Sequence, residues 1–251
     1  MGNSERISTY DSQSPEYHRA FDVFLANTDQ KVKAREWLKN LVYKLPSRRV
    51  FVDAGAGNGQ VTGWFLEDFE RTVAIEPNRS LCEYLNVHCP AAEIHHEKIL
   101  DSAITDTADL VLCSHVFYYI DQKEWITHLE KLVSWVDSGG VVVVVLQNHN
   151  TDCMKMLESF FGYRFNFYVL AENFARLYGK DYNIGIETVP ALVTTVDIDS
   201  ALIVGEFMLN LLPISNPPAR NELEDYIRRN FLVADNGFSF SCDQDFLTIS
   251  N

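Results

Sequence analysis

Residues 50–59 read Val-Phe-Val-Asp-Ala-Gly-Ala-Gly-Asn-Gly, an apolar run that reaches an acid and then three alternate glycines. The apolar run predicts a buried strand over residues 49–53. The glycines permit a sharp turn and let the backbone approach a ligand closely, because they carry no side chain. We expect a helix over residues 60–69 to follow. Such a strand, glycine turn and helix are typical of α/β folds that bind a nucleotide-like cofactor.

Strand and helix patterns continue along the rest of the chain. The further expected strands cover residues 72–76, 93–96, 109–113, 141–146, 184–189, 194–198 and 245–249. The other expected helices fall within residues 16–45, 78–85, 122–136, 171–178, 200–212 and 219–231. Apolar strands that alternate with helices indicate a parallel sheet covered on both faces. The predicted fold is therefore α/β, with a doubly wound, mainly parallel, seven-stranded sheet, an antiparallel C-terminal hairpin and an N-terminal helical lid.

The domain organisation is expected to be simple. The 251 residues contain no internal repeat or Pro/Ser-rich linker, which predicts a single domain. Within it we assign residues 1–46 to the helical lid, 47–150 to a cofactor-binding core and 151–251 to a substrate-side part. Residues 1–30 begin polar and then become amphipathic, so we expect them to be mobile and to order over bound ligands.

Composition limits the partners. The formal net charge of −14 would repel nucleic acid and acidic membrane surfaces, so we expect neither as a partner. The five cysteines contain no C-x-x-C pair, which favours reduced thiols in a cytoplasmic protein. The polar N-terminus does not resemble a signal peptide, and the apolar run Val141–Leu146 is too short to cross a bilayer. We expect a cytoplasmic monomer that acts on a small molecule.

Two acids at strand ends indicate which cofactor is bound. Asp53 stands just before the first glycine, where it would repel a pyrophosphate but attract the ammonium group of a methionyl tail. Glu76 ends the second strand, where an acid can accept hydrogen bonds from both ribose hydroxyls. The glycine spacing is G-x-G-x-G and not the G-x-G-x-x-G of dinucleotide-binding folds. These features favour S-adenosylmethionine over a nicotinamide cofactor; the alternative without a ligand is a tight turn flanked by two solvated acids.

The chain resembles the class I S-adenosylmethionine-dependent methyltransferases and, within them, the histamine N-methyltransferase family. The wider resemblance rests on the glycine motif. The narrower one rests on Tyr17–Phe21 followed by Phe24-Leu25 and Asn-Thr-Asp, on Phe117–Ile120, and on Thr194–Ile198. It implies a methyl transfer to a small molecule, at a nitrogen of an amine or heterocycle. The alternatives are O- or C-methylation of a metabolite and a non-catalytic protein that binds S-adenosylmethionine.

The resemblance also implies residue roles. The cofactor-binding residues would be Asp53, Gly55, Gly57, Glu76, Pro77, Lys98, Ile99, Leu100 and Ser114, with Tyr17 over the site as part of the lid. The substrate would meet Asp29, His115, Phe117, Tyr118, Tyr119 and Cys242. Without a one-residue gap in the alignment, Gln30 takes the place of Asp29. The family carries an amide where this chain has His115, and another where it has Cys242-Asp243, so histamine itself is not the expected acceptor.

The segment His115–Tyr119 is expected to form the wall of the substrate pocket and to carry the catalytic groups His115, Tyr118 and Tyr119. It follows a buried strand at the sheet edge where ligands of such folds bind. The tyrosines and Phe117 can stack on a flat or cationic substrate, although Phe117 and one tyrosine can instead be packing residues. His115 can act as a general base or only as a hydrogen-bonding wall. We expect no metal, because adjacent histidines such as His95 and His96 point to opposite faces of a strand.

Overall fold

The computed structural model describes residues 5–10, 14–212, 214–233 and 237–251, and residues 1–4 and 11–13 of the expected lid lie outside them. The chain forms two compact units, each assembled from separate segments. The first, called here the sheet unit, comprises residues 34–146, 166–188 and 245–251. The second, called the helical unit, comprises residues 1–33, 147–165 and 189–244. The expectation of one undivided domain stays a prediction.

Helices and strands alternate through most of the chain. The helices are α1 Pro15–Ala26, α2 Gln30–Lys44, α3 Arg79–His88, α4 Trp125–Val133, α5 Asp152–Phe161, α6 Phe167–Tyr178, α7 Ile198–Leu209 and α8 Arg220–Phe231. The strands are β1 Val50–Ala54, β2 Arg71–Ile75, β3 Glu93–His95, β4 Ala108–Ser114, β5 Val136–Gln147, β6 Asn183–Val189, β7 Leu192–Thr195, β8 Phe238–Ser241 and β9 Gln244–Ser250.

Seven strands form one sheet in the order β3-β2-β1-β4-β5-β9-β6. The pairs β3-β2, β2-β1, β1-β4 and β4-β5 are parallel. All five residues of β1 are buried, as are the apolar residues 141–146 of β5. Parallel strands buried on both faces are expected to be apolar throughout, which explains why these runs do not alternate with polar residues. The predicted mainly parallel seven-stranded sheet with flanking helices and a C-terminal hairpin is confirmed.

In the helical unit, α1 packs against α7 through aromatic rings. The Phe207 ring of α7 lies 5.4 Å from that of Tyr17, 5.5 Å from that of Phe21 and 5.3 Å from that of Phe24. These α1 residues follow the i, i+4, i+7 spacing of one helix face, which is why all three reach the same ring. A separate antiparallel pair, β7 and β8, completes this unit.

Two local predictions are wrong. The expected helix over residues 60–69 is a series of turns with one short 3-10 helix, Thr62–Trp64, since Gly59 takes a left-handed φ of 78° and Gly63 also disfavours a helix. The expected strand 194–198 ends early, because the Asp197 side chain accepts a hydrogen bond from Ser200 N and thereby starts α7.

The sequence patterns missed α5 and β8. For α5 the signals were present, since Thr151 caps its N-terminus and Gly162 ends it with a left-handed φ of 65°.

Within the described ranges, no helix combines the length and the apolar character needed to cross a membrane.

Candidate functional site

The glycine loop follows the central strand β1 directly and turns back over β2. Gly55 N and Ala56 N both donate to Ile75 O, at 2.8 and 3.0 Å. Gly55, Gly57 and Gly59 have φ angles of 87°, 57° and 78°, all in the left-handed region that side chains disfavour. The glycines thus let the chain reverse within a few residues at the carboxyl end of the sheet, where folds of this kind bind ligands.

The three glycines face different surroundings. A methyl group at Gly55 would lie 2.3 Å from Val116 Cγ2, and one at Gly59 would lie 2.5 Å from Leu85 Cδ2. A methyl group at Gly57 would meet no protein atom within 4 Å. Gly55 and Gly59 therefore allow close packing inside the protein, and Gly57 leaves space into which a ligand can fit.

Glu76 follows β2 and holds the loop from the side. Its carboxylate accepts hydrogen bonds from Gly57 N and from Asn78 N, both at 2.9 Å. The residue is only 7% exposed. A buried carboxylate fixed by two backbone amides has a defined orientation, and an ionised carboxylate has lone pairs for further donors such as ribose hydroxyls.

Asp53 lies one residue before the end of β1 and is 2% exposed. Its Oδ2 accepts a hydrogen bond of 2.6 Å from Thr62 Oγ1. Burial raises the pKa of the Cys113 thiol well above its usual value, and the Asp53 carboxylate raises it further. The pKa of the Cys89 thiol is raised in the same way, first by burial and then by Asp53. Both thiols therefore stay protonated and uncharged at physiological pH.

The loops after β2 and β3 meet beside Glu76. Pro77 is exposed, and its carbonyl oxygen lies 3.0 Å from His96 Nε2. Residues 98–101 form a turn in which Asp101 N donates to Lys98 O; Ile99 is buried, and Lys98 and Leu100 are exposed. The predicted adenine-binding segment therefore lies on the sheet unit with Glu76, and its contact with the cofactor stays a prediction.

His95 and His96 do not share a site. His95 Nε2 contacts Glu93 Oε1 at 2.6 Å, and His96 contacts Pro77 O. Among the described residues, no group of three histidine, cysteine or acidic side chains could hold a metal ion.

The segment after β4 contains a strained histidine. Within the described part of the chain, His115 is the one residue other than glycine with a positive φ, 60°. A side chain in this conformation costs about 1 kcal/mol, and such strain often occurs at functional positions. His115 N donates to Val145 O at 2.9 Å, which holds the strained residue beside half-buried Ser114 at the end of β4.

The three aromatic rings after His115 have different positions. Phe117 is fully buried, and its ring centroid lies within 6.3 Å of the ring centroids of Trp125, His128 and Phe167. Phe117 is therefore a packing residue. The expected contact of Phe117 with substrate receives no support from this position. Its neighbour Tyr118 is 8% exposed and stacks on His115 with ring centroids 5.9 Å apart.

Tyr119 is the exposed ring of this segment, at 55%. Its ring meets that of Tyr118 edge-on at 6.5 Å. Trp125 Nε1 donates to Phe117 O and Ile120 O, which anchors the backbone on both sides of the tyrosines. His115, Tyr118 and Tyr119 thus form a supported aromatic wall in the sheet unit.

The remaining predicted residues lie in the helical unit. Tyr17 is buried among the rings of α1 and α7. Asp29 Oδ1 accepts from Leu192 N at 2.8 Å, and Gln30 Nε2 donates to Cys242 O at 2.7 Å. These contacts give Asp29 and Gln30 structural partners of their own, and the predicted substrate contact of Asp29 stays a prediction.

Cys242 is fully buried and lies 3.2 Å from Thr28 Oγ1. Burial raises the pKa of its thiol to about 12, so the group is a neutral packing residue at physiological pH. This placement does not support a substrate contact for Cys242, and that contact also stays a prediction.

The sequence patterns missed two residues that support the site. Val116 packs on Gly55 and so joins the segment after β4 to the glycine loop. Thr62 binds Asp53 from a turn that the sequence predicts as helix. Neither has a local signal, because each contacts a site residue at least nine positions away in the sequence.

The residues present fit S-adenosylmethionine. Open space lies over Gly57, a buried acid stands at the end of each of the two adjacent strands, and the β1–β2 register brings both acids to one edge of the sheet. Asp53 suits an ammonium group, Glu76 suits hydroxyl donors, and the glycine backbone allows close approach.

Comparisons with known proteins agree with this fit. Residues 52–144 match the family profile of a methyltransferase domain. No curated protein matches the chain.

Solved structures with the same fold cover most of the chain at low identity. A protein from Bacillus halodurans C-125 assigned as a methyltransferase has 11% identity and a TM-score of 0.60, over 86% of this chain and 97% of that one. A TehB-like SAM-dependent methyltransferase from Corynebacterium glutamicum has 12% identity and a TM-score of 0.50, over 87% of both chains. The DhpI–SAH complex has 18% identity and a TM-score of 0.50, over 68% of this chain and 86% of that one.

None of these comparisons shows the resemblance to histamine N-methyltransferase, which stays a prediction. The matched domain, the shared fold and the acids beside the glycine loop agree with one another. Together they confirm that this protein is a methyltransferase with the class I fold and that S-adenosylmethionine is its cofactor.

Proposed function

We propose that the protein transfers the methyl group of S-adenosylmethionine to a nitrogen of a small amine or heterocycle. The observation that carries this proposal is the wall formed by His115, Tyr118 and Tyr119 at the carboxyl end of β4. Val116 joins this wall to Gly55, so the aromatic groups and the glycine loop belong to one packed assembly. Stacked and exposed rings beside a histidine suit a flat or cationic acceptor.

When bound, S-adenosylmethionine supplies an electrophilic methyl group, whose bond to sulfur breaks as its bond to the acceptor forms. The protein has to align the acceptor lone pair and exclude water. An aromatic nitrogen already presents a lone pair near neutral pH, whereas an aliphatic amine must first lose a proton. His115 can take that proton, or it can orient the acceptor by a hydrogen bond. Its fixed backbone favours a directed contact with the acceptor.

We propose a cytoplasmic monomer whose acceptor is a small molecule and not a nucleic acid. The net charge of −14 supports this choice, because a polyanionic acceptor would be repelled. The narrower resemblance to histamine N-methyltransferase supports nitrogen as the acceptor atom. O- or C-methylation is the second candidate, since Tyr118 and Tyr119 can bind a hydroxylated ring equally well.

Turnover on a panel of amines, N-heterocycles, phenols and carbon acids tests this proposal, with S-adenosylhomocysteine as the measured product. We expect turnover with a nitrogen acceptor. Methylation confined to a phenol or a carbon acid would replace this assignment by the second candidate. Calorimetry with S-adenosylhomocysteine and NAD provides the binding control, and binding without any turnover would favour a non-catalytic role.

Variants of His115, Tyr118 and Tyr119 test the role of the aromatic wall in methyl transfer. If His115 is the base, His115→Ala lowers kcat by roughly a hundredfold or more, with partial rescue at high pH and little change in cofactor affinity. If it is a wall, KM rises and kcat changes little. Tyr118→Phe and Tyr119→Phe separate the hydroxyl groups from the rings, because stacking survives the change. His88→Ala removes an exposed histidine of α3 as a control. Parental turnover in all three wall variants would exclude this pocket.

A further inference from the structure

Thr62 is a buried polar residue with no part in the methyl transfer proposed above. It begins the short 3-10 helix after the glycine loop and is fully buried. Its Oγ1 donates to Asp53 Oδ2 at 2.6 Å, within the range of strong hydrogen bonds to a carboxylate. Thr62 lies nine residues after Asp53, so this contact closes the whole glycine loop on itself.

We propose that Thr62 is a positioning residue that orients the Asp53 carboxylate toward the ammonium group of the cofactor's methionyl tail. This inference rests on the assignment of Asp53 to that tail. A carboxylate at the end of a side chain can rotate about its terminal bond. A hydrogen bond from an immobile hydroxyl selects one rotation and so directs the charge of Asp53.

The turn at residues 59–65 makes this contact possible. Threonine in a regular helix commonly bonds its hydroxyl to a carbonyl three or four residues earlier in the helix. Here the backbone bonds Gly63 N to Gly59 O and Trp64 N to Val61 O hold a tight turn, and the Thr62 hydroxyl reaches the end of β1. The departure from helix at residues 60–69 therefore has a role at the cofactor site.

The charge around Asp53 fits this role. Two thiols lie close enough to Asp53 for its carboxylate to raise their pKa values, after burial as the larger cause: that of Cys89, which follows α3, and that of Cys113 on β4. Both have raised pKa values and stay neutral. The Thr62 hydroxyl carries no charge, so its hydrogen bond orients the Asp53 carboxylate without adding a counter-charge.

Thr72 provides a matched control. It is a threonine on β2 of the same sheet unit and is 3% exposed. Its Oγ1 has no hydrogen-bond partner among the described residues. A change of either threonine to valine conserves shape and removes one buried hydroxyl, but only the change at Thr62 removes a hydrogen bond to Asp53.

Calorimetric binding of two ligands to the full-length protein tests the proposal. S-adenosylhomocysteine carries the amino-acid tail, and 5′-methylthioadenosine does not. We expect Thr62→Val to weaken S-adenosylhomocysteine binding about tenfold, as for the loss of a hydrogen bond to a charged group, and to leave methylthioadenosine binding unchanged. Thr62→Ser, which keeps the hydroxyl, restores most of the affinity, and Thr72→Val binds both ligands like the parent.

The outcomes separate this inference from the assignment of Asp53. Asp53→Asn with parental affinity for S-adenosylhomocysteine would refute the assignment itself. A weakened Asp53→Asn together with an unaffected Thr62→Val would refute only the role of Thr62. Equal weakening of both ligands by Thr62→Val would assign Thr62 a structural role and overturn the proposal. If Thr62→Val does not fold, Thr62→Ala, which leaves a small void, undergoes the same two titrations.

Discussion

Gly57→Ala separates cofactor binding from folding. The added methyl group would meet no protein atom within 4 Å, so the folded protein has room for it. The cost to folding is then the left-handed φ of 57°, about 1 kcal/mol, which corresponds to a fall in Tm of about 2–4 °C. In the complex, the same methyl group occupies ligand space. We expect S-adenosylhomocysteine binding to weaken about tenfold or more, which is about 1.4 kcal/mol or more.

Gly162→Ala is the matched control for backbone strain. Gly162 ends α5 in the helical unit with a φ of 65°, and a methyl group there also meets nothing within 4 Å. It should therefore lose the same stability as Gly57→Ala and bind S-adenosylhomocysteine like the parent. Gly55→Ala and Gly59→Ala add clashes with Val116 and Leu85, so we expect each to lose about 2 kcal/mol or more of stability.

The assay combines thermal unfolding of the free protein with calorimetric titration of S-adenosylhomocysteine. Equal dissociation constants for Gly57→Ala, Gly162→Ala and the parent would show that the space over Gly57 does not receive the cofactor. A fall in Tm at Gly57 much larger than at Gly162 would show that the methyl group is not accommodated by the folded protein. Either result would refute the division of the glycines into packing and ligand positions. Gly57→Val, with a branched side chain, should weaken binding more than Gly57→Ala does.

Four other features lead to separate measurements. Glu76→Ala should weaken S-adenosylmethionine binding in calorimetry by about 2 kcal/mol or more, since a charged acceptor of hydrogen bonds is lost. The control Glu70→Ala, which changes an acid just before the opposite end of β2, should leave binding unchanged. Unchanged affinity in a folded Glu76→Ala protein would exclude Glu76 from the site. Hydrogen exchange of residues 10–30 should slow when S-adenosylhomocysteine and substrate bind, and equal protection in both states would argue against a lid. The Cys242 thiol, whose pKa burial raises to about 12, should resist iodoacetamide at pH 8 until the protein unfolds; rapid alkylation of folded protein would contradict its burial. Burial also raises the pKa of Glu206 above its ordinary 4.5, so the folded state holds the proton more tightly than the unfolded state does. The parent should therefore lose stability relative to Glu206→Gln as pH rises from about 4.5 through the folded-state pKa, as measured by urea unfolding. A difference in stability that does not change with pH would show that Glu206 does not titrate in this range.

The amino-acid sequence was enough to predict the seven-stranded sheet and the position of the glycine loop at its carboxyl edge. Buried parallel strands appear as short apolar runs, and a glycine turn after such a run is a strong local signal. Asp53 and Glu76 could be placed at one edge of the sheet because the carboxyl ends of parallel strands meet there, as the register of β1 and β2 shows. These features depend on neighbouring residues, and periodicity within ten residues or so reveals them.

Contacts between residues far apart in sequence decided which glycine faces open space, which aromatic ring is buried and which side chain binds Asp53. The three glycines look equivalent in sequence, and only packing against Val116 and Leu85 leaves Gly57 as the one beside open space. Phe117 looks like a pocket residue until Phe167, fifty positions later, packs beside it. Residues 60–69 favour a helix locally, but the turn there gives Thr62 a hydrogen bond to the buried Asp53. The burial and the partner of a side chain are properties of the folded chain, because residues far apart in sequence supply them.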